Sequence, residues 1–311
     1  MGKNILVTGG DGFIGSHIVD LLISKGYNVD ILDNLSTGKR KNINKKAKFI
    51  VGDILSIDKN IKKYKNIDAT IHCAAQISVI KSVENPLNDA VNNVIGTLKI
   101  LEMCKKLKIK KFIFASTGGA IYGDVKKLPI SEKQVEAPES PYAVSKMAVE
   151  MYMDFYRKAY GIDCISLRYA NVYGPRQDHL GEAGVVAIFI NKLLRNQIPI
   201  INGDGNQTRD FVYVEDVAEA NLRALEKRTH SKKINIGTGT QTSVNNLLSK
   251  IKKIMGKERT KPTHVKEKKG EVRFSSLDIK LAKKELGWEP KISLDVGLEK
   301  TITWFPGQKA L

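Results

Sequence analysis

Tyr142 and Lys146 are the residues in this 311-residue sequence whose types and spacing are best suited to moving a proton. They lie in Ser140-Pro141-Tyr142-Ala143-Val144-Ser145-Lys146, where Ser140 is the expected N-cap of a helix and Pro141 its expected first residue. Side chains four apart on a helix share a face. An ammonium held beside a phenol stabilises the phenolate, so Tyr142 is expected to titrate low enough to act as a general base near neutral pH. A Tyr-x-x-x-Lys pair alone is commonplace on helix surfaces. What sets this one apart is its company, beginning with the hydroxyls of Ser116 and Thr117, which directly follow the apolar run Lys111–Ala115.

The elements that must position these groups are legible as alternating strands and helices. Short apolar runs at 5–7, 28–32, 48–51, 69–72, 111–115 and 164–167 read as strands, and 89–106 and 141–160 carry helical periodicity. That alternation predicts an α/β fold with a parallel sheet and helices on both faces, ligands binding beyond the carboxyl ends of the strands. The first strand runs into VTGGDGFIG, residues 7–15. Glycines at a strand-to-helix turn let an anion approach the free N–H groups of the helix start, and Gly9-x-x-Gly12-x-x-Gly15 is close to the dinucleotide-binding spacing. The second strand ends in Asp33, where an acidic residue accepts from adenosine ribose hydroxyls and repels a 2′-phosphate. NAD is therefore expected over NADP.

Composition excludes several alternatives. Hydrophobic content of 42% and charged content of 27% are ordinary for a globular chain, and no run of eighteen apolar residues suggests a membrane span. The first strand starts almost at once, and Cys73, Cys104 and Cys164 lack metal-ligand spacing, so a cytoplasmic protein without a metal is expected. The net charge of +18 is spread through KRKNINKKAK, KNIKKYK and KKLKIKK rather than gathered in one arm. It is read as a steering field for an acidic small substrate, not as a nucleic-acid footprint.

Taken together, TGGDGFIG, LDNLSTG, VGDI, HCAAQISV, FASTGGAIYG, PYAVSK, LRYANVYGPRQ, GDGNQTRDFVYVEDVAEA and INIGTG resemble, in order and over nearly the whole chain, the extended short-chain dehydrogenase/reductase superfamily and within it the UDP-hexose 4-epimerases. The resemblance implies a Rossmann-type doubly wound sheet with a smaller C-terminal substrate-binding region. It implies an NAD-binding part at 1–172 and 209–240, and a UDP-sugar-binding part at 173–208 and 241–311. It places Gly9, Gly12, Phe13 and Ile14 on the pyrophosphate, and Asp33, Asn34, Ser36, Thr37 and Gly38 around the adenosine ribose. Asp53 and Ile54 would flank the adenine, with Ala74, Ala75, Gln76, Asn93, Tyr169 and Val172 along the rest of the cofactor channel. Asn171, Arg209 and Lys268 would hold the substrate diphosphate. Glu271 would meet its ribose, and Ser78, Val185 and Ser275 would line the sugar pocket.

Three positions depart from the family pattern. Lys268 stands where an arginine is usual and Glu271 where an aspartate is. The family's catalytic hydroxyl falls on Gly118, leaving Thr117, with Ser116 behind it, to serve. A glycine pair replaces the acidic pair of the sugar-nucleotide dehydratases, which favours simple epimerisation. Inversion at C4 through a 4-keto sugar is the expected reaction, on UDP-glucose and UDP-galactose and, given small Ser275, on the N-acetylated pair. A UDP-glucuronate decarboxylase or another sugar-nucleotide reductase would share the cofactor half, and a non-catalytic NAD-bound regulator would share the fold. Apolar stripes on 89–106 and 141–160 that are wider than one buried face, together with the resemblance, imply a homodimer.

Overall fold

A computed structural model describes residues 2–179, 184–267 and 272–305. The first half builds β1 (Asn4–Thr8), α1 (Phe13–Ser24), β2 (Asn28–Asp33), β3 (Lys48–Val51), β4 (Ala69–His72), α2 (Val79–Glu84), α3 (Pro86–Ala90), α4 (Gly96–Lys106) and β5 (Lys111–Thr117). The second adds α5 (Pro141–Tyr160), β6 (Asp163–Tyr169), β7 (Asn171–Tyr173), α6 (Val185–Leu194), β8 (Ile200–Asn202), β9 (Thr208–Arg209) and β10 (Phe211–Tyr213). After them come α7 (Val214–Glu226), β11 (Lys233–Ile236), β12 (Thr242–Ser243), α8 (Val244–Ile254), β13 (Thr263–Val265), α9 (Lys280–Leu286) and α10 (Leu294–Trp304).

Seven parallel strands form the main sheet in the order β11-β6-β5-β4-β1-β2-β3. Strand side chains alternate between two apolar layers. Ile5, Val7, Ile113 and Ile165 pack under α1 and α7, while Leu6, Phe112, Phe114 and Cys164 pack with Ile100 and Leu101 of α4 and Val149 and Met153 of α5. Burial on both faces is why these strands read as continuous apolar runs. Each such aliphatic side chain contributes about 1.5–3 kcal/mol relative to exposure. A separate core joins Tyr173, Phe189, Ile201, Phe211, Tyr213, Leu247 and Leu298 in the second lobe. The expected division at residue 240 assigns α9 to that lobe, yet Ala282, Leu286 and Trp288 bury themselves in the core of the large sheet.

The strand order reverses between β1 and β4, which opens a crevice at their carboxyl ends. Gly9 follows β1 and is left-handed (φ 68°), and a Cβ there would come within 2.7 Å of Ala74 N, which follows β4. Only glycine permits that approach. In the connection after β5, Ser140 caps α5 by accepting from Ala143 N at 3.3 Å, with Pro141 at the first turn, and Gly161 (φ 68°) ends the helix. The expected helix from Asp89 instead begins at Pro86 and carries a π-helical turn, Val91–Ile95, before α4.

Candidate active site

The glycine turn fits a dinucleotide pyrophosphate. Gly12 precedes α1 in extended backbone and no side chain caps the helix, so the N–H groups at Phe13 and Ile14 are left to a ligand. Gly15 must be glycine because a Cβ would collide with Gly9 O. Asp33 closes β2, with Oδ1 accepting from Leu35 N at 2.9 Å. Asn34 joins the loops after β2 and β3: its Oδ1 accepts from Ser36 N, and its Nδ2 donates to Asp53 Oδ2 at 2.9 Å. Asp53 in turn accepts from Leu55 N, while Ile54 is buried and Ser36 and Thr37 are exposed. Gly38 lies against the carboxyl of Asp11, whose two oxygens are buried without a hydrogen-bond partner among the described residues. Burial, reinforced by Asp33, pushes the Asp11 carboxyl up to about 8. Sequence reasoning passed over Asp11 because only its glycine neighbours carry the motif.

The loop after β4 is fixed by a buried polar cluster. Gln76 N donates to Asn93 Oδ1 and Asn93 Nδ2 donates back to Gln76 O, each at 2.9 Å. Asp89 accepts from Gln76 Nε2 (2.8 Å), Asn93 Nδ2 (2.9 Å) and Ser145 Oγ (2.6 Å). Asn93 sits in the π-helical turn, a feature that often marks functional sites. Ala74 and Ala75 are thereby held at the crevice, with Ala74 N donating to Thr8 Oγ1 at 3.3 Å. Asp89 is a second residue that sequence reasoning missed, although its i,i+4 spacing to Asn93 was available as a signal.

Lys146 links the residues expected to handle a proton to the end of β5. Lys146 Nζ donates to Ala115 O at 2.9 Å and stands 5.7 Å from the centroid of the Tyr142 ring. This locks α5 onto the strand that ends in Thr117. Ser116 faces away, its Oγ donating to buried Glu150 at 2.7 Å, where Arg168 also binds. A Cβ at Gly118 would collide with Leu277 Cδ1 and come within 3.1 Å of Arg168 O, so a side chain there would need its neighbours to shift. At Gly119 the space is bordered by Thr117 Oγ1 and Asn171 Oδ1, 4.0 and 3.7 Å from where a Cβ would stand. Tyr169 is buried with its hydroxyl donating to Asn221, and Val172 pairs with Val212 across β7 and β10.

The expected lowering of the Tyr142 pKa by its lysine is not what these side chains alone produce. Burial, then the Asp89 carboxylate, pushes the phenol above its ordinary value. Burial pulls Lys146 down to about 8 against the opposing influence of Cys73, Asp89 and Glu150. The ammonium donates to the Ala115 carbonyl.

On the substrate side, Arg209 lies in β9 with Nη1 donating to Thr208 O at 2.8 Å. Its neighbour Asp210 is committed elsewhere, accepting from Thr238 N, Thr238 Oγ1, Gly239 N and Leu277 N. Those bonds fix the segment carrying Ser275, which is buried and donates its N–H to Thr208 O at 3.2 Å. Phe274 beside it is 42% exposed. Val185 opens α6, and Ser78 caps α2 by accepting from Lys81 N at 2.9 Å. Lys268 and Glu271 lie outside the described residues. Among the described residues no cluster of His, Cys, Asp and Glu could hold a metal, and no helix is long and apolar enough to cross a membrane.

A doubly wound parallel sheet with a glycine turn at its switch point and a Tyr-x-x-x-Lys helix beside the hydroxyl-bearing strand defines a nucleotide-cofactor enzyme of the short-chain dehydrogenase/reductase type. Residues 5–237 match the NAD dependent epimerase/dehydratase family, and the chain belongs to it. A Methanocaldococcus jannaschii protein, provisionally named a UDP-glucose 4-epimerase, is 53% identical over 96% of this chain and 97% of its own. The Thermotoga maritima UDP-glucose 4-epimerase, solved with UDP-glucose, superposes with a TM-score of 0.95 at 49% identity, covering 98% of this chain and 99% of that one. A UDP-N-acetylglucosamine 4-epimerase from Methanobrevibacter ruminantium, solved with UDP-N-acetylmuramic acid, gives 0.93 at 37% identity over 99% of each chain.

Proposed function

We propose that this protein interconverts UDP-hexoses by inversion at C4, with Tyr142 as the acid/base group. The Lys146–Ala115 hydrogen bond carries the reading, because it sets the tyrosine helix against the strand bearing Thr117. Bound in the crevice between Gly9 and Gln76, NAD supplies a reversible hydride acceptor for the sugar C4. Tyr142 takes the proton of the 4-hydroxyl and returns it after the 4-keto sugar has presented its other face. Thr117 hydrogen-bonds O4 while charge develops there, a stabilisation that matters most where water is excluded. Arg209 and Asn171 keep the diphosphate anchored during the turn, the guanidinium being able to fork two bonds onto phosphate oxygens. Lys268 completes that anchor and Glu271 meets the ribose. The homodimer joins α4 and α5 with their counterparts.

Ser275 sets the substrate range. A serine there is smaller than a tyrosine beside the sugar 2-substituent, which supports acceptance of the N-acetylated pair, as does the likeness to a UDP-N-acetylglucosamine 4-epimerase. Purified protein is incubated with each UDP-sugar without added cofactor. The 4-epimer should form with no net NADH and no carbon dioxide; stoichiometric NADH would indicate a reductase, and loss of carbon dioxide from UDP-glucuronate a decarboxylase. Ser275→Tyr should remove only the N-acetylated activity.

A further inference from the structure

At the opposite, amino-terminal edge of the sheet lies a cavity of about 330 Å³ whose lining includes Arg157, Asp163, Arg228, Thr229, His230 and Lys232. Asp163 is neutralised by Lys111 and Lys232, each 2.8 Å from one of its oxygens. Lys232 also donates to Thr229 O at 2.8 Å, fixing the loop after α7. Two buried donors of this lining have no partner among the described residues. One is Thr229 Oγ1, on a residue only 6% exposed; the other is Arg157 Nη1, although Nη2 of the same guanidinium reaches Asp154 at 3.2 Å. Arg228 lines the same cavity, and Glu285 accepts from the backbone N–H of His230 at 2.8 Å. Buried donors ordinarily find acceptors, so a lining rich in donors that leaves two of them unsatisfied calls for a ligand rich in acceptors.

The geometry points to a second anion site, separate from the active cleft, that takes a phosphate group. Two arginines, Thr229 and His230 share this lining, and the tetrahedral oxygens of a phosphate can accept from donors on several sides at once. The last carbonyls of α5 and the Asp163 carboxylate oppose an anion. The two lysines on Asp163 cancel the second, and Arg157, in the last turn of α5, offsets the first. The phosphate comes either from free inorganic phosphate or from a small phosphorylated metabolite. The lining includes Arg157 of α5 and Asp163 of β6, the elements that carry Tyr142, Lys146 and Tyr169 at the active end.

The test titrates the full chain, with UDP present to fill the active cleft, using inorganic phosphate in one arm and a hexose 1-phosphate in the other. Ionic strength is matched with chloride, and binding is followed by calorimetry and phosphorus NMR. One saturable site per chain is expected. Arg157→Gln, Arg228→Gln and Thr229→Val should each weaken it about tenfold while UDP affinity stays unchanged. Tighter binding of the sugar phosphate assigns the site to a metabolite, and equal binding assigns it to free phosphate. No saturable uptake in either arm, or uptake indifferent to Arg228→Gln and Thr229→Val, overturns the proposal. Thr229→Val keeps the side-chain shape, so it decides the matter even if Arg157→Gln folds poorly.

Discussion

Ser116 Oγ donates to the buried Glu150 carboxylate at 2.7 Å, whereas Thr117 Oγ1 borders the space at Gly119. Strand alternation makes the two hydroxyls face opposite ways. Thr117→Val should therefore lower kcat about a hundredfold, the usual loss for one hydrogen-bond donor at a developing oxyanion. Ser116→Ala should leave kcat near wild type and instead destabilise the fold by about 1–3 kcal/mol, since Glu150 loses a buried donor. Steady-state kinetics and urea unfolding of the two variants separate the roles, and the reverse ranking would exchange them.

The acid limb of activity should depend on Asp89. Its carboxylate raises the Tyr142 phenol, so removing that charge lowers the phenol pKa. In Asp89→Asn the rise of kcat/KM with pH should move to lower pH. A limb that stays in place, or moves up, would show that Asp89 does not tune the tyrosine.

Asp11 makes stability depend on pH. Its folded-state pKa of about 8 lies well above the ordinary carboxyl value of about 3.9. Between about pH 4 and pH 8 the folded chain thus holds a proton that the unfolded chain has released, and stability falls as pH rises through that window. Asp11→Asn cannot ionise. It should flatten that slope and raise Tm near pH 8 by about 2–4 °C for each kcal/mol recovered. Thermal melts from pH 5 to 8.5 at fixed NAD check this, and parallel slopes for the two proteins would contradict it.

Met151, Phe155 and Val144 on α5 and Ile95 just before α4 are large apolar side chains left open to solvent, at 62, 54, 49 and 44% exposure. Neighbouring apolar residues this exposed mark an interaction surface. Light scattering should give a dimer, and Phe155→Glu a monomer that still binds NAD. A wild-type monomer at micromolar concentration would dismiss the homodimer.

Much of this was legible in local pattern. The glycine turn, Asp33, the Ser140 cap and the span of α5 each follow from residue type and spacing over a few positions, and the structure places them accordingly. What sequence withheld depends on contacts between distant segments. Nothing near residue 116 announces that Glu150 and Arg168 will claim the serine, and nothing near Gly118 announces Leu277. The Asp11–Asp33 juxtaposition required the turn and the end of β2 to be brought together in space. Spacing on a helix likewise gives the lysine's distance from Tyr142 but not its burial or its carbonyl partner.

The most direct measurement is the rate of Tyr142→Phe against wild type on UDP-glucose, with NAD content and melting temperature recorded for both. Only the phenolic oxygen is lost, so folding and NAD binding should persist while kcat falls at least about a hundredfold. A variant with normal NAD content that keeps more than about a tenth of the wild-type rate would contradict Tyr142 as the group that moves the proton.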